Sequence, residues 1–445
     1  MTTMKTTYPD LDSRSAAFYE RARKVMPGGN TRTSLWWPPY PLYAVSGKGA
    51  YVTDVEGDTR LDLHNAFSTL IHGHSHPDIV ERVQKQAAML TCVGMSTELE
   101  IELAEALISR IPGAEHIRFS NSGTEATMTA LKAARGLTGR ARYAKCEGCY
   151  HGSYEALELS TSSRPENWGP AEKPNAVEQS RGTPQSMKDE ALILPFNDID
   201  AARALLAEHG HAMAAVFVDP VPVRMGLIEA DPNYLAMLRE ETSARGIVLV
   251  FDEVVTYRFG RGGYQEIVGI TPDLTTLGKL IGGGLPIGAI AGTKAAMSAF
   301  DPSGDGPIVW HGGTFNGNPL TMTAGIASVE ALTQASYAHM HNLADRARAG
   351  LNRQIADRGL NWQVTGTGSM LRLHAHDRAI RNYREFYPRA EETVLLKKAM
   401  NALLNRGILV TNIGVISISS VMTHDDIDMF LDQMAAVFDG LADNP

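Results

Sequence analysis

Residues 247–251 are apolar without interruption, and the run ends on two acids, Asp252 and Glu253. A short run of this length, rich in β-branched residues, predicts a strand buried on both faces, as in a parallel sheet. Asp252 then stands at the carboxyl end of that strand, where open α/β sheets bind their ligands. Residues 116–120, 141–146 and 214–218 predict further strands. The first of them leads through a small polar turn into a helical pattern over 126–137. Residues 320–332 carry another helical pattern. The middle of the chain therefore reads as α/β.

The two ends read differently. Residues 15–25 predict a short helix, stopped by Pro27-Gly28-Gly29, and residues 1 to about 15 are polar and expected to be loosely held. Residues 49–63 alternate around the turn Glu56-Gly57-Asp58 and predict a small antiparallel hairpin. In His72-Gly73-His74-Ser75-His76-Pro77 the period of two would put histidines on one strand face, as a metal site needs. The run into Pro77 and an amphipathic helix favours a turn and helix start instead. Residues 160–188 are rich in Ser, Pro, Asn and Glu without periodicity, and predict a long loop of the kind that covers sites. From about 330, long amphipathic helices alternate with short strands over 362–374 and 408–419. We therefore expect an N-terminal segment 1–75 that joins a smaller domain, a large domain 76–325, and an α+β part 326–445.

Composition narrows the class. A chain of 445 residues with 44% hydrophobic and 20% charged residues describes an ordinary globular protein. The net charge of −9 and the lack of a basic stripe argue against nucleic acid as a partner. Three cysteines make no disulfide framework. Cys146 and Cys149 form a lone C-x-x-C, read as packing rather than as a zinc or redox pair. No apolar run has the length of a membrane span, and residues 1–10 carry no signal-like apolar stretch. The expectation is a cytoplasmic protein without a membrane or metal partner.

Chemistry enters at Thr275-Thr276-Leu277-Gly278-Lys279, followed by Gly282-Gly283-Gly284-Leu285-Pro286. One lysine stands between apolar residues and a glycine triplet. Burial lowers a lysine's pKa, so the amine can be neutral and nucleophilic. A carboxylate and such a lysine in one cleft are what pyridoxal 5'-phosphate requires: one charge for the ring nitrogen, one amine for the aldehyde. The rival, a nucleotide-binding loop, lacks the Ser or Thr that should follow the lysine, since Leu280 stands there. Ser122-Gly123-Thr124, between a strand and a helix start, makes an anion site from free amides and the helix dipole, or a plain helix cap.

Phe251-Asp252-Glu253-Val254 with Leu277-Gly278-Lys279 and the glycine triplet resembles the class III (ω-type) aminotransferase signature. The likeness runs from Pro27 to about Ser420. It is greatest to the branch holding glutamate-1-semialdehyde aminomutases and β-amino acid aminotransferases. The resemblance implies a fold-type I pyridoxal phosphate enzyme with a smaller α+β domain from both chain ends. It implies Lys279 and Asp252 as catalytic residues. It implies cofactor contacts for Ser122, Gly123 and Thr124 at the phosphate, for Val254, and for Tyr150 and His151 of an aromatic-His-Gly turn. His311-Gly312-Gly313-Thr314 resembles the segment whose threonine reaches the phosphate of the other subunit, which implies a homodimer.

For the substrate, Pro27-Gly28-Gly29 through Arg32 resembles the family's carboxylate-binding loop. A guanidinium fixes a carboxylate by two parallel hydrogen bonds. Trp36 and Trp37 would wall an apolar pocket, or simply stack on Arg32. Ser68, in Phe67-Ser68-Thr69, is expected at the substrate entrance. The chain departs from the family at Asp219, Pro222 and Arg224, where Arg224 replaces the usual polar contact or binds substrate. In Thr411-Asn412-Ile413-Gly414 it carries neither the glutamate of aminomutases nor the arginine of some β-amino acid aminotransferases. The implied activity is ping-pong amino transfer between an amino donor and a keto acid, with a β-amino acid bearing an apolar or aromatic group as candidate donor. The alternative is intramolecular amino transfer of the glutamate-1-semialdehyde aminomutase type.

Overall fold

A computed structural model describes residues 4–442. The chain forms two compact units. The larger holds Asp78–Tyr337 and Arg378–Tyr387; the smaller holds Met1–Pro77, Ala338–Asp377 and Pro388–Pro445. Residues Arg378–Tyr387 lie inside the stretch expected to belong wholly to the C-terminal part. They join the larger unit because Arg384 is anchored there: its Nε lies 3.0 Å from Glu147 Oε2, and its guanidinium covers the Trp168 ring at 4.9 Å.

The larger unit is built on a seven-stranded sheet. Its strands are β1 (His116–Ser120), β2 (Arg142–Cys146), β3 (Ala191–Leu194), β4 (Met213–Val218), β5 (Val248–Asp252), β6 (Leu274–Gly278) and β7 (Gly288–Gly292). The spatial order is β1-β7-β6-β5-β4-β2-β3. The pairs from β3 through to β6 are parallel, and β7 runs antiparallel to both β6 and β1. β4, β5 and β6 are buried at every position, as the apolar runs of β4 and β5 demand. Each large apolar side chain buried there contributes roughly 1.5–3 kcal/mol. The parallel register aligns the carboxyl ends of neighbouring strands: Phe251 pairs with Thr275 and Asp252 with Thr276. Asp252 and Lys279 therefore emerge at one end of the sheet, from adjacent strands.

The smaller unit carries two sheets. Tyr51–Asp54 and Thr59–Asp62 form the expected hairpin, flanked by Ala44–Lys48 on one side and a parallel strand Ile408–Leu409 on the other. Gln363–Thr365, Met370–His374 and Val415–Ser417 form the second sheet, all antiparallel. Of the tail expected to be loose, residues 1–3 lie outside the described residues. From Lys5 on it is tied down. Asp58 accepts hydrogen bonds from Lys5 N at 2.6 Å and from Thr6 Oγ1 at 2.7 Å, and Asn405 receives Tyr8 N at 2.6 Å. The buried acid Asp58 needs those donors, and nothing in the polarity of the tail announces them.

The smaller unit also contains a turn of unusual hand. Asn65, Ala66, Phe67 and Ser68 have φ of 48°, 48°, 57° and 66°. Left-handed backbone costs a non-glycine residue about 1–2 kcal/mol, and such residues normally occur singly. Here four follow one another and none is glycine. Their surroundings hold them. Asp62 Oδ1 accepts from both His64 N and Asn65 N at 2.9 Å, Asn65 Nδ2 donates to Ser417 O at 2.7 Å, and Phe67 N donates to His64 Nδ1 at 3.1 Å.

The histidine run 72–76 is a turn leading into the helix Pro77–Met89. His74 Nε2 lies 2.7 Å from Asp62 Oδ2 and His72 Nδ1 3.0 Å from Ser420 Oγ. Among the described residues no group of three or more His, Cys, Asp or Glu converges as metal ligands, and no helix is long and apolar enough to cross a membrane.

Candidate active site

The site in the larger unit is built from the carboxyl ends of β5 and β6 and the turns after β1 and β2. Asp252, the last residue of β5, is buried and accepts from three directions. His151 Nδ1 lies 2.8 Å from Oδ2; Thr276 Oγ1 and Val254 N both donate to Oδ1 at 3.1 Å. Since the carboxylate can only accept, Nδ1 carries the proton and the neutral ring keeps Nε2 as an acceptor. Burial lowers the His151 pKa against the opposing pull of Asp252. His151 Nε2 is itself buried and has no hydrogen-bond partner among the described residues.

Lys279 follows β6 with φ of 51°, a left-handed conformation in a residue with a long side chain. Strain of this sort, about 1–3 kcal/mol, persists where the surroundings enforce it, often at active sites. Burial lowers the Lys279 pKa, and the nearby charges of Asp252 and Asp219 work in the other direction. Asp219, just after β4, is buried, accepts Val221 N at 3.0 Å, and has its carboxyl pushed well above the usual range by burial and by Asp252. The next acid, Glu253, points into a separate tie. It accepts Tyr264 N and Gln265 N at 2.8 Å and Thr256 Oγ1 at 2.9 Å, and burial raises its pKa to about 7.

The turn after β1 has the anion-site form. Ser122 caps the helix Gly123–Thr138 by accepting Glu125 N at 3.1 Å. The amides of Gly123 and Thr124 precede the first intrahelical bond and are available to an anion. Position 123 is tight: a Cβ there would lie 3.0 Å from both methyls of Val254, so any larger residue would push that side chain back. Val254 thus wedges the turn against β6, where its Cγ1 would also lie 3.4 Å from a Cβ on Gly278. The turn after β2 packs against the same helix end. Gly152, at φ of 97°, leaves no room for a Cβ beside Thr124, and Ser153 N donates to Thr124 Oγ1 at 3.2 Å. Tyr150 is 44% exposed, so its ring is open to a flat ligand. The Arg224 guanidinium sits over that ring at 5.3 Å and donates to Ser162 Oγ at 3.1 Å.

Ser122, Gly123, Thr124, Tyr150, His151, Asp252, Val254, Lys279 and Arg224 thus converge in the larger unit. Thr314 is exposed, on a turn tied back by Asn121 Nδ2 donating to Asn316 Oδ1 at 2.7 Å. In the smaller unit, Arg32, Trp37 and Phe67 line a cavity of about 440 Å³. Trp37 is fixed there by its Nε1 donating to Asn401 Oδ1 at 2.6 Å. Trp36 does not line this cavity, contrary to the expectation that both tryptophans wall one pocket. Its ring packs on Tyr19 at 5.4 Å, because neighbouring residues on extended backbone point to opposite sides. Ser68 is buried and also lies outside the lining, while its neighbours Ala66 and Phe67 are part of it.

Two supports escaped sequence reasoning. Thr276 looked like one more strand residue. Lys145 looked like a polar position on β2, yet it is fully buried, donating to Cys149 O at 2.8 Å and Leu157 O at 2.9 Å. Burial lowers its pKa to about 8. It clamps the turn that carries Tyr150 and His151. Cys146 and Cys149 are buried in the core beside it, as packing residues.

These residues fit pyridoxal phosphate. An amide cradle at a helix end suits the phosphate, an anchored carboxylate suits a protonated ring nitrogen, and an amine with lowered pKa suits the aldehyde. The matching family model, aminotransferase class-III, covers residues 36–438. The glutamate-1-semialdehyde 2,1-aminomutase of Methanothermobacter thermautotrophicus is 38% identical over 96% of this chain and 99% of its own. Among solved structures, an omega-transaminase from Sphaerobacter thermophilus is 45% identical, with a TM-score of 0.95 over 97% of this chain and 98% of that one. A beta-phenylalanine aminotransferase from Variovorax paradoxus is 34% identical, with a TM-score of 0.86 over 97% and 94%. Sequence, fold and site agree, and the chain belongs to the class-III aminotransferases, enzymes that depend on pyridoxal phosphate.

Proposed function

We propose that this enzyme moves the amino group of an amino acid with an apolar or aromatic side group, a β-amino acid in the first instance, to a keto acid by a ping-pong mechanism. The observation that carries the reading is the cavity in the smaller unit. It offers one exposed guanidinium, Arg32, amid apolar walls that include Trp37, Leu42, Phe67 and Val410. Arg60 also lines it but is engaged with Asp54 and with Leu404 O. A ligand matched to this lining has one carboxylate and an apolar body. The 34% identity to a beta-phenylalanine aminotransferase supports the same reading. The aminomutase reading draws on the curated relatives. A panel of donors and acceptors separates the two: a transaminase needs an added keto acid for turnover, whereas a mutase turns over one substrate alone.

Bound in the larger unit, the cofactor supplies the carbonyl that takes the amino group and a ring that accepts electron density. Asp252, held by His151 and Thr276, keeps a fixed negative charge for the ring nitrogen. Lys279 Nζ, whose pKa burial lowers, would take a proton from the substrate carbon and return it as a general base and acid. The amides at Ser122, Gly123 and Thr124 would hold the phosphate, and the exposed Tyr150 ring would offer the pyridine an aromatic face.

Arg32→Ala tests the substrate reading. A charge-assisted bidentate contact contributes about 1.5–3 kcal/mol, so binding of amino acid substrates should weaken roughly 10- to 150-fold. An amine of the same shape without the carboxylate should be barely affected. Parallel losses on both substrates would move the carboxylate site elsewhere, with Arg224 the next candidate.

A homodimer completes the proposal, with Thr314 reaching the partner's phosphate site. Exposed apolar residues support it. Trp310 is 80% exposed and Phe315 59%, on either side of Thr314 in the chain, where a monomer would leave them in water. Cofactor retention should then fall with dissociation on dilution, because ligand binding is linked to association. A monomer that is fully active and saturated with cofactor would refute the arrangement.

A further inference from the structure

The left-handed turn Asn65–Ser68 needs an explanation beyond folding. It contains no glycine, and its conformation is costly at Ala66, Phe67 and Ser68, while Asn65 is of a type that adopts it more readily. Hydrogen bonds with Asp62, His64 and Ser417 help hold it. What the turn achieves is local. Ala66 and Phe67, adjacent in sequence, both reach the wall of the cavity that also contains Arg32, and His64 joins them there. On extended backbone one of the two would point away. The Phe67 ring is further fixed edge-on against the His64 ring, with centroids 4.3 Å apart at 70°. Asp54 and Asp62 also line the cavity, but Asp54 is paired with Arg60, and Asp62 accepts from His64 N and Asn65 N and lies 2.7 Å from His74 Nε2.

We propose that this turn is the specificity element of the cavity: a strained, preorganised wall that receives the aryl or branched apolar group of a monocarboxylate. The proposal rests on the reading of Arg32 as carboxylate receptor. Ala66 and Phe67 act here as substrate-positioning residues, through shape rather than through chemistry. Strain of this kind survives where it serves binding, since a wall already in place removes an ordering cost from each binding event.

The test uses the cofactor-loaded enzyme and two probes that lack an amine and cannot react, 3-phenylpropanoate and its neutral isostere 3-phenylpropanamide, with affinities read by titration calorimetry. Glycine adopts left-handed backbone without penalty, so Ala66→Gly should hold or raise the melting temperature. It should nonetheless weaken both probes, by roughly 3- to 10-fold as preorganisation is lost. Phe67→Leu, which keeps an apolar side chain, should weaken both probes similarly, by about 2- to 10-fold for the lost aromatic contact. Arg32→Ala should act differently, erasing the preference for the carboxylate over the amide.

Affinities for both probes within twofold of wild type in Ala66→Gly and Phe67→Leu would overturn the proposal. So would a marked fall in melting temperature of Ala66→Gly, which would show that the turn carries no strain to relieve. A carboxylate preference unchanged in Arg32→Ala would overturn the reading beneath it, and that result is independent of the turn variants.

Discussion

Replacing Lys279 by alanine should abolish amino transfer while leaving a folded protein that still holds the cofactor's phosphate. The lysine stands at the end of β6, its amine favoured as the neutral base by burial. Every residue of the phosphate turn, Ser122, Gly123 and Thr124, is on another element and is untouched by the change. Removing a group that serves as both covalent anchor and proton carrier should lower turnover roughly 10⁴-fold or more. The melting temperature should change little, because no hydrogen bond among the described residues depends on the amine. Turnover and cofactor content measured on one preparation check both parts. Near-normal turnover would remove Lys279 from the mechanism; loss of folding would leave Lys279→Arg as the informative variant, with charge kept and nucleophilicity gone.

The second large effect is expected for Asp252→Asn. The amide oxygen can still accept from Thr276 and Val254 N, so the shape of the site is preserved. Its NH₂ group, however, faces the Nδ1–H of His151, and two donors cannot pair. The imidazole must change tautomer, which leaves Nε2 as the donor. The fixed negative charge is lost in the same step. Loss of one preorganised electrostatic partner costs about 10²–10³ in rate, and a wrong tautomer beside it can add to that. We therefore expect kcat to fall roughly 10²- to 10⁴-fold, with a much smaller change in cofactor affinity. An NMR spectrum of the His151 ring nitrogens should show the tautomer change in the cofactor-free protein as well. An unaltered kcat with unaltered His151 signals would show that the carboxylate's charge is not used.

Much of this architecture can be read in the sequence where one physical rule dominates. The strand Val248–Asp252 announces itself because a strand buried on both faces has no reason to alternate. The turn at Ser122 shows because strand, small polar residues and helix follow in the order an anion site requires. Lys279 shows because a lysine among glycines and apolar residues has few bland explanations once an acid ends the neighbouring strand. The features that escaped depend on contacts between distant residues. Lys145 has the pattern of an ordinary strand residue, and only the fold reveals that backbone carbonyls of residues 149 and 157 surround its ammonium. Arg378–Tyr387 could not be assigned to the larger unit without knowing that Arg384 meets Glu147. The docking of Lys5 and Thr6 on Asp58 is invisible for the same reason. Left-handed backbone is usually read from glycine, so the turn Asn65–Ser68, which has none, carried no signal. The departure of Trp36 from the cavity of Trp37 follows from extended backbone, which the surrounding prolines suggest but do not impose.

The most direct test of the account is a single half-turnover. The cofactor-loaded enzyme is mixed with excess 3-amino-3-phenylpropanoate and no keto acid, and the products are quantified by mass spectrometry. The account expects one equivalent of keto acid per active site and then arrest, with turnover resuming when a keto acid is added. Continued conversion of the single substrate into a positional isomer, or no keto acid at all from this or any other apolar amino acid, would contradict it.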